Sequence, residues 1–251
     1  MTAPVIRGYH QYAGWSVTPV SGDFLVWIGS NFDGGLTTPS GWTAYSGMNT
    51  GYSRVWTRTA NGTSLDNPSG ASGQWPAAFG SGIAFSNGAN TSIDYAAGTW
   101  SASGSDFSQV CPPPKGNAAL ATSDGLHIVS AYQRSRGYDY TSVYGSAYQF
   151  SNPRFNTPSG YTALSGTVQD YYEVTYDYGD PPPTFDGTGA WAWLEHYSGI
   201  YTKQLSSTSN PGSTTFTISG PDGTDPAWAA CSIVVKVQSS GPTAYGPSIR
   251  R

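Results

Sequence analysis

A tight turn leading into a short strand occurs twice in this chain, and that duplication limits the possible folds more than any other feature. Thr38-Pro39-Ser40-Gly41-Trp42-Thr43-Ala44-Tyr45-Ser46-Gly47 returns as Thr157-Pro158-Ser159-Gly160-Tyr161-Thr162-Ala163-Leu164-Ser165-Gly166, with only Trp42 and Tyr45 replaced. Pro39 and Pro158 fix their own φ, and Gly41 and Gly160 supply a backbone conformation that other residues resist. Trp42 and Tyr161 then open the strand that follows. The same spacing carries Tyr52 onto Tyr171 and Val55 onto Val174, so the correspondence extends into the next predicted strand. Repetition on this scale marks a β-domain made from two related halves.

The remaining sequence agrees with a β-fold. No window sustains a 3.6-residue apolar period; short runs are separated instead by Gly, Pro and Asn61-Gly62. Phe24-Leu25-Val26-Trp27-Ile28 is continuously apolar and reads as a strand covered on both faces. Tyr52 to Thr59, Leu126 to Gln133 and Tyr171 to Tyr178 alternate, as do Ala190 to Tyr197 and Ala229 to Val237. In the last of these, Cys231, Ile233, Val235 and Val237 are expected to face inward. About ten short strands of this kind predict an all-β antiparallel sandwich, jelly-roll-like, in preference to two immunoglobulin-sized ones. The expected layout is one domain over residues 1–238, with related halves at about 23–110 and 124–237 and a tail over 239–251. At 251 residues such a chain buries roughly 70% of the surface its unfolded form exposes, so it needs neither metal nor disulfide. Whether Cys111 and Cys231 pair is left open by their spacing.

Charge excludes one class of partner. The net charge is −4 and the basic residues are scattered, which is not the footprint of a nucleic-acid-binding protein. The first residues lack a signal-peptide pattern and no apolar run is long enough to span a bilayer, so no membrane insertion is expected. Chemistry is equally thin. None of His10, His127 and His196 has a metal-ligand spacing, and no nucleotide or nucleophile motif is present, so no cofactor or metal is expected. Glu173 and Glu195 are the only glutamates. They would serve as an acid/base pair if a groove brought them together, and as solvated strand residues otherwise. The second reading is preferred, because Arg54 stands at the position of Glu173 in the first half. No catalytic residue is assigned and the protein is not expected to be an enzyme.

The surface that remains is unusual. Charged residues make up 10% of the chain and aromatic ones 14%, so hydroxyls, amides and phenols dominate. Tyr132, Arg134, Arg136, Tyr138, Tyr140, Tyr144 and Tyr148 crowd one segment read as a long loop, with the composition of a binding surface built on rigid aromatic anchors. The duplication also aligns Arg54 with Glu173 and Arg58 with Asp177. One basic and one acidic face are therefore expected, which would meet between subunits or against another component.

Three segments together resemble a known module: Gly22-Asp23-Phe24-Leu25-Val26, then Thr38-Pro39-Ser40-Gly41-Trp42-Thr43, then Val55-Trp56-Thr57-Arg58-Thr59-Ala60. The module is a β-rich one of tailed-bacteriophage structural proteins, especially minor tail proteins of phages infecting actinobacteria. Gly187-Thr188-Gly189-Ala190 and Ala227-Trp228-Ala229 are similar to its second half, so the resemblance spans about residues 5–238. It implies a virion component without catalytic residues, a minor tail or tail-tip protein whose partners are other virion proteins and copies of itself. A receptor-binding protein that recognises a host-surface glycan, and a capsid decoration protein, are the alternatives.

Overall fold

The computed structural model describes residues 3–11, 14–30, 36–49, 53–68, 80–86, 91–101, 108–114, 118–120, 123–139, 154–164, 171–175, 191–219 and 224–237. The described residues are all-β, with one short 3-10 turn at Ser64–Asp66. The strands are β1 (Ile6–Gln11), β2 (Gly14–Trp15), β3 (Phe24–Ser30), β4 (Thr43–Asn49), β5 (Ser53–Thr59), β6 (Gly80–Phe85), β7 (Thr91–Ser101) and β8 (Ser108–Cys111). They continue as β9 (Leu126–Asp139), β10 (Arg154–Phe155), β11 (Thr162–Ala163), β12 (Tyr171–Thr175), β13 (Trp191–Gln204), β14 (Thr214–Ser219) and β15 (Thr224–Val237).

Two antiparallel sheets dominate. The first runs β2-β1-β6-β3-β5-β4; the second runs β11-β13-β9-β15-β7, with β12 on the same edge of β13 as β11. In each, the chain begins at one edge, passes to the centre, crosses to the other edge and returns inward. The two sheets match residue for residue. Thr43, Thr57, Val26, Ile83 and Tyr9 lie in one row across the first. Thr162, Thr202, Ile128, Ile233 and Ala96 lie in the corresponding row of the second. Hydrogen bonds outside the ladders repeat as well: Ala60 N–H donates to Asp23 O at 2.8 Å, and Leu205 N–H donates to Gly125 O at 2.9 Å.

The sheets face each other across one apolar cluster. Val26, Ile28, Val55, Ile83 and Phe85 come from the first, and Leu126, Ile128, Ile200, Cys231, Ile233 and Val235 from the second. Strand alternation explains the choice, since these are the residues that share one face of β3, β5, β6, β9, β13 and β15. Edge strand β4 lies against β7, and β6 lies against β13, so the halves are related by an approximate two-fold axis along the strands. β7, which falls within the expected first half of about 23–110, pairs with β15 in the second sheet.

The outer faces are covered differently. On the first sheet, Leu25, Trp27 and Trp56 are capped by Leu36, Trp42 and Trp15. With Val26 and Ile28 facing the other way, β3 is buried on both faces, as its unbroken apolar run predicts. On the second sheet a third, three-stranded layer, β10-β14-β8, brings Phe155, Phe216 and Cys111 over Val129, Ala131, Tyr201 and Ala230. The cysteines therefore lie in different cores, Cys231 between the main sheets and Cys111 under the third layer, and both remain thiols.

Candidate functional site

The repeated turns are built alike. Trp42 N–H donates to Pro39 O and Tyr161 N–H to Pro158 O, each at 3.1 Å, while Gly41 and Gly160 take φ of 76° and 80°. A cation stands beside each turn, but it is not the one the spacing indicates. Thr57 and Thr202 share the row position named above, so Arg58 corresponds to Lys203 rather than to Asp177. The strand equivalent to β5 is β13; β12 continues the edge that β11 begins. Arg54 and Glu173 are likewise not equivalent.

The expected basic face is also occupied from within. Arg58 Nε donates to Asp66 Oδ1 at 2.8 Å, its Nη1 to Gly41 O at 2.6 Å and its Nη2 to Asn61 Oδ1 at 2.8 Å. Arg54 Nη1 donates to Leu36 O at 2.8 Å. Burial raises the Asp66 carboxyl pKa, but Arg58 and the N–H groups of Asn61 and Gly62 outweigh it and hold the group below its ordinary value. These arginines fasten the first half's turn to its strands. Glu173 lies on edge strand β12, and Asp177 falls outside the described residues.

A polar chain lies under the third layer. His127 Nε2 and Ser232 Oγ are 2.7 Å apart, Tyr161 Oη and His127 Nδ1 2.8 Å, and Tyr161 Oη and Thr214 Oγ1 3.1 Å. His127 and Ser232 are fully enclosed, and Lys203 Nζ stands 5.6 Å from the centre of the Tyr161 ring. In the first sheet the same register positions are held by Leu25 in place of His127 and Gly82 in place of Ser232. Trp42 occupies the position of Tyr161 in the repeated turn. Burial, and secondarily Lys203, depresses the His127 pKa to about 4, so the ring is neutral near pH 7. A serine, a histidine and a tyrosine in a line resemble a relay, but Ser232 is sealed off and reaches no substrate. Sequence reasoning left this chain unread. The available signal was His127 in an otherwise apolar strand, on the face opposite Leu126 and Ile128.

The described part of the segment read as a binding loop, up to Asp139, is strand. β9 continues through Asp139, paired to β13 as far as Asp139–Trp191 and to β15 as far as Arg136–Thr224. It has 14 residues where its counterpart β3 has 7, and β13 has 14 where β5 has 7. The second sheet therefore runs on past the described strands of the first. Pairing sets His196 beside Arg134 and Tyr171 beside His196, and it sets Leu194 between Arg136 and Glu173. Tyr140, Tyr144 and Tyr148 lie outside the described residues. Glu173 pairs with Leu194 and Glu195 with Tyr172, so the two glutamates occupy adjacent rows of the β12–β13 ladder.

Among the described residues no three His, Cys, Asp or Glu side chains gather as a metal site, and no helix is long and apolar enough to cross a membrane. Comparison with protein-family models, with curated proteins and with solved structures finds no match.

Proposed function

We propose that this chain is a structural component of a tailed-bacteriophage virion, a minor tail or tail-tip protein that works by contact with other virion proteins and with copies of itself. One observation carries the binding role: β9 and β13 run on as a paired ladder past Ile128, whose register sets Arg134 beside His196, His196 beside Tyr171, and Leu194 between Arg136 and Glu173, with Tyr132 and Tyr138 in the same strand. Paired strands fix the spacing of these residues more firmly than a loop does. Tyr and Arg there provide large contact area and charge-assisted hydrogen bonds at small entropic cost. The assignment to a virion rests on the segments around Gly22-Asp23 and Thr38–Trp42 that resemble the phage module.

Gold-labelled antibody against the chain is expected to mark the tails of particles of the phage that encodes it. Label confined to the head would favour capsid decoration, and particles without the chain would overturn the assignment. The Arg134→Glu, Arg136→Glu double variant is expected to be left out of particles while keeping the far-ultraviolet spectrum of the parent.

A second reading draws on the same strands, since tyrosines on a rigid sheet also stack on sugar rings. Binding on a glycan array that disappears in Tyr132→Ala and Tyr138→Ala, with particle incorporation intact, would favour a host-glycan receptor role.

A further inference from the structure

We propose that the chain Ser232–His127–Tyr161–Thr214 is an acid-sensitive latch, which holds the three-stranded layer on the second sheet while the His127 ring is neutral and lets it lift when the ring takes a proton. The chain joins layers that otherwise meet through an apolar cluster and one further polar contact, Tyr201 Oη donating to Phe155 O at 3.1 Å. His127 and Ser232 belong to β9 and β15, Tyr161 to the repeated turn and Thr214 to β14 of the overlying layer. The fold itself does not require this chemistry. The first sheet closes the same place with Leu25, Gly82 and Trp42.

The neutral ring suits its neighbours. One nitrogen donates and the other accepts, and the Tyr161 and Ser232 hydroxyls turn to match. A protonated ring donates at both nitrogens, so both hydroxyls must accept and the Tyr161 proton is driven toward Thr214. The hydrogen bonds survive this change, but among the described residues no acidic side chain pairs with the charge. On β13 the ring faces Lys203, of like sign, and two residues along is Tyr201, a phenol bonded to Phe155 O at 3.1 Å. From β8 the adjoining group is Cys111, which burial keeps as a thiol. β14 contributes Thr214 and Phe216, and β15 contributes Ser232, none of them charged. Water is the remaining source of stabilisation, and the β8-β14-β10 layer covers the outer face of the second sheet from which water would arrive.

The two cysteines make the idea testable in the intact chain. Cys111 is buried under the third layer and Cys231 between the main sheets. Protection of each thiol is measured with 4,4′-dithiodipyridine, as the rate in the urea-unfolded chain over the rate in the folded chain at the same pH, with peptide mapping to assign the site. Cys111 is expected to be less protected than Cys231 at every pH, because lifting the third layer exposes it without unfolding the main sheets, and its protection is expected to fall about tenfold per pH unit from about pH 6.5 to about pH 4. His127→Leu installs the residue of the first sheet, and His127→Gln keeps polarity without a titratable ring. Either is expected to leave Cys111 protected throughout, and the variant that folds as the parent does is the one read. Three results would overturn the latch: Cys111 and Cys231 equally protected at each pH, Cys111 staying protected in the parent at about pH 4, or an undiminished acid response in the His127 variants.

Discussion

Two buried side chains show how much a single residue decides here. Arg58 serves three acceptors from one guanidinium, and its side chain and that of Asp66 are 9% and 8% exposed. Arg58→Ala would leave the Asp66 carboxylate enclosed with backbone donors alone. A loss of about 3 kcal/mol in urea-unfolding stability is expected, well beyond what a surface arginine contributes. Arg58 thus acts within the chain rather than between chains. His127 acts through pH. Its folded pKa of about 4 lies below the ordinary histidine value, so the unfolded chain takes up the proton first as pH falls. Stability is then full above about pH 6.5, falls on acidification toward pH 4 by on the order of 3 kcal/mol, and levels off below. His127→Leu is expected to flatten that slope in denaturation midpoints measured across the same range. Asp66 contributes in a lower window, because its depressed pKa means that its stabilisation fades only below the ordinary carboxylate range.

Among the elements, the repeated turns show what the sequence displays and what it conceals. Their conformation was legible because Pro and Gly impose it locally, whatever the rest of the chain does. Both glycines adopt positive φ, so alanine at either costs about 1–2 kcal/mol from the backbone alone. At Gly41 a new Cβ would also sit 2.5 Å from Arg58 Nη1, whereas at Gly160 the closest atom, Lys203 Nζ, is 3.7 Å away. Gly41→Ala is therefore expected to lower the melting temperature more than Gly160→Ala, and equal shifts would argue against the Arg58 contact. Strand partners were not legible in the same way. Tyr171 and Val174 match Tyr52 and Val55 in spacing, yet pairing across the sheet makes β13 the counterpart of β5. Equivalence is set by ladders between distant segments, and an insertion after Ala163 shifts the count without disturbing them. The lengths of β9, β13 and β15 were hidden for a related reason. Segments such as Arg134-Ser135-Arg136-Gly137 lack the apolar alternation that betrays a half-buried strand, and the long partner β13 holds them in place instead.

At the scale of the whole molecule, the core between the sheets holds the fold together. Ile83 and Ile233 occupy equivalent positions in the same cluster and are both fully buried. Ile83→Ala and Ile233→Ala are each expected to cost about 2–5 kcal/mol and to shift one shared unfolding transition. Two transitions that respond separately would mean that the sheets are stable apart. The duplicated turn and the doubly apolar strand made the all-β architecture legible in the sequence. They could not show the third layer, because β8, β10 and β14 are short and meet only after the chain has folded. Joining the two sheets in one polypeptide has a further effect. Were they contributed by two identical chains, every substitution would appear in both places at once, and the site of Leu25 could not differ from that of His127. In a single chain each copy mutates alone, so one sheet can carry a buried tryptophan cluster while its twin carries a buried histidine at the matching place.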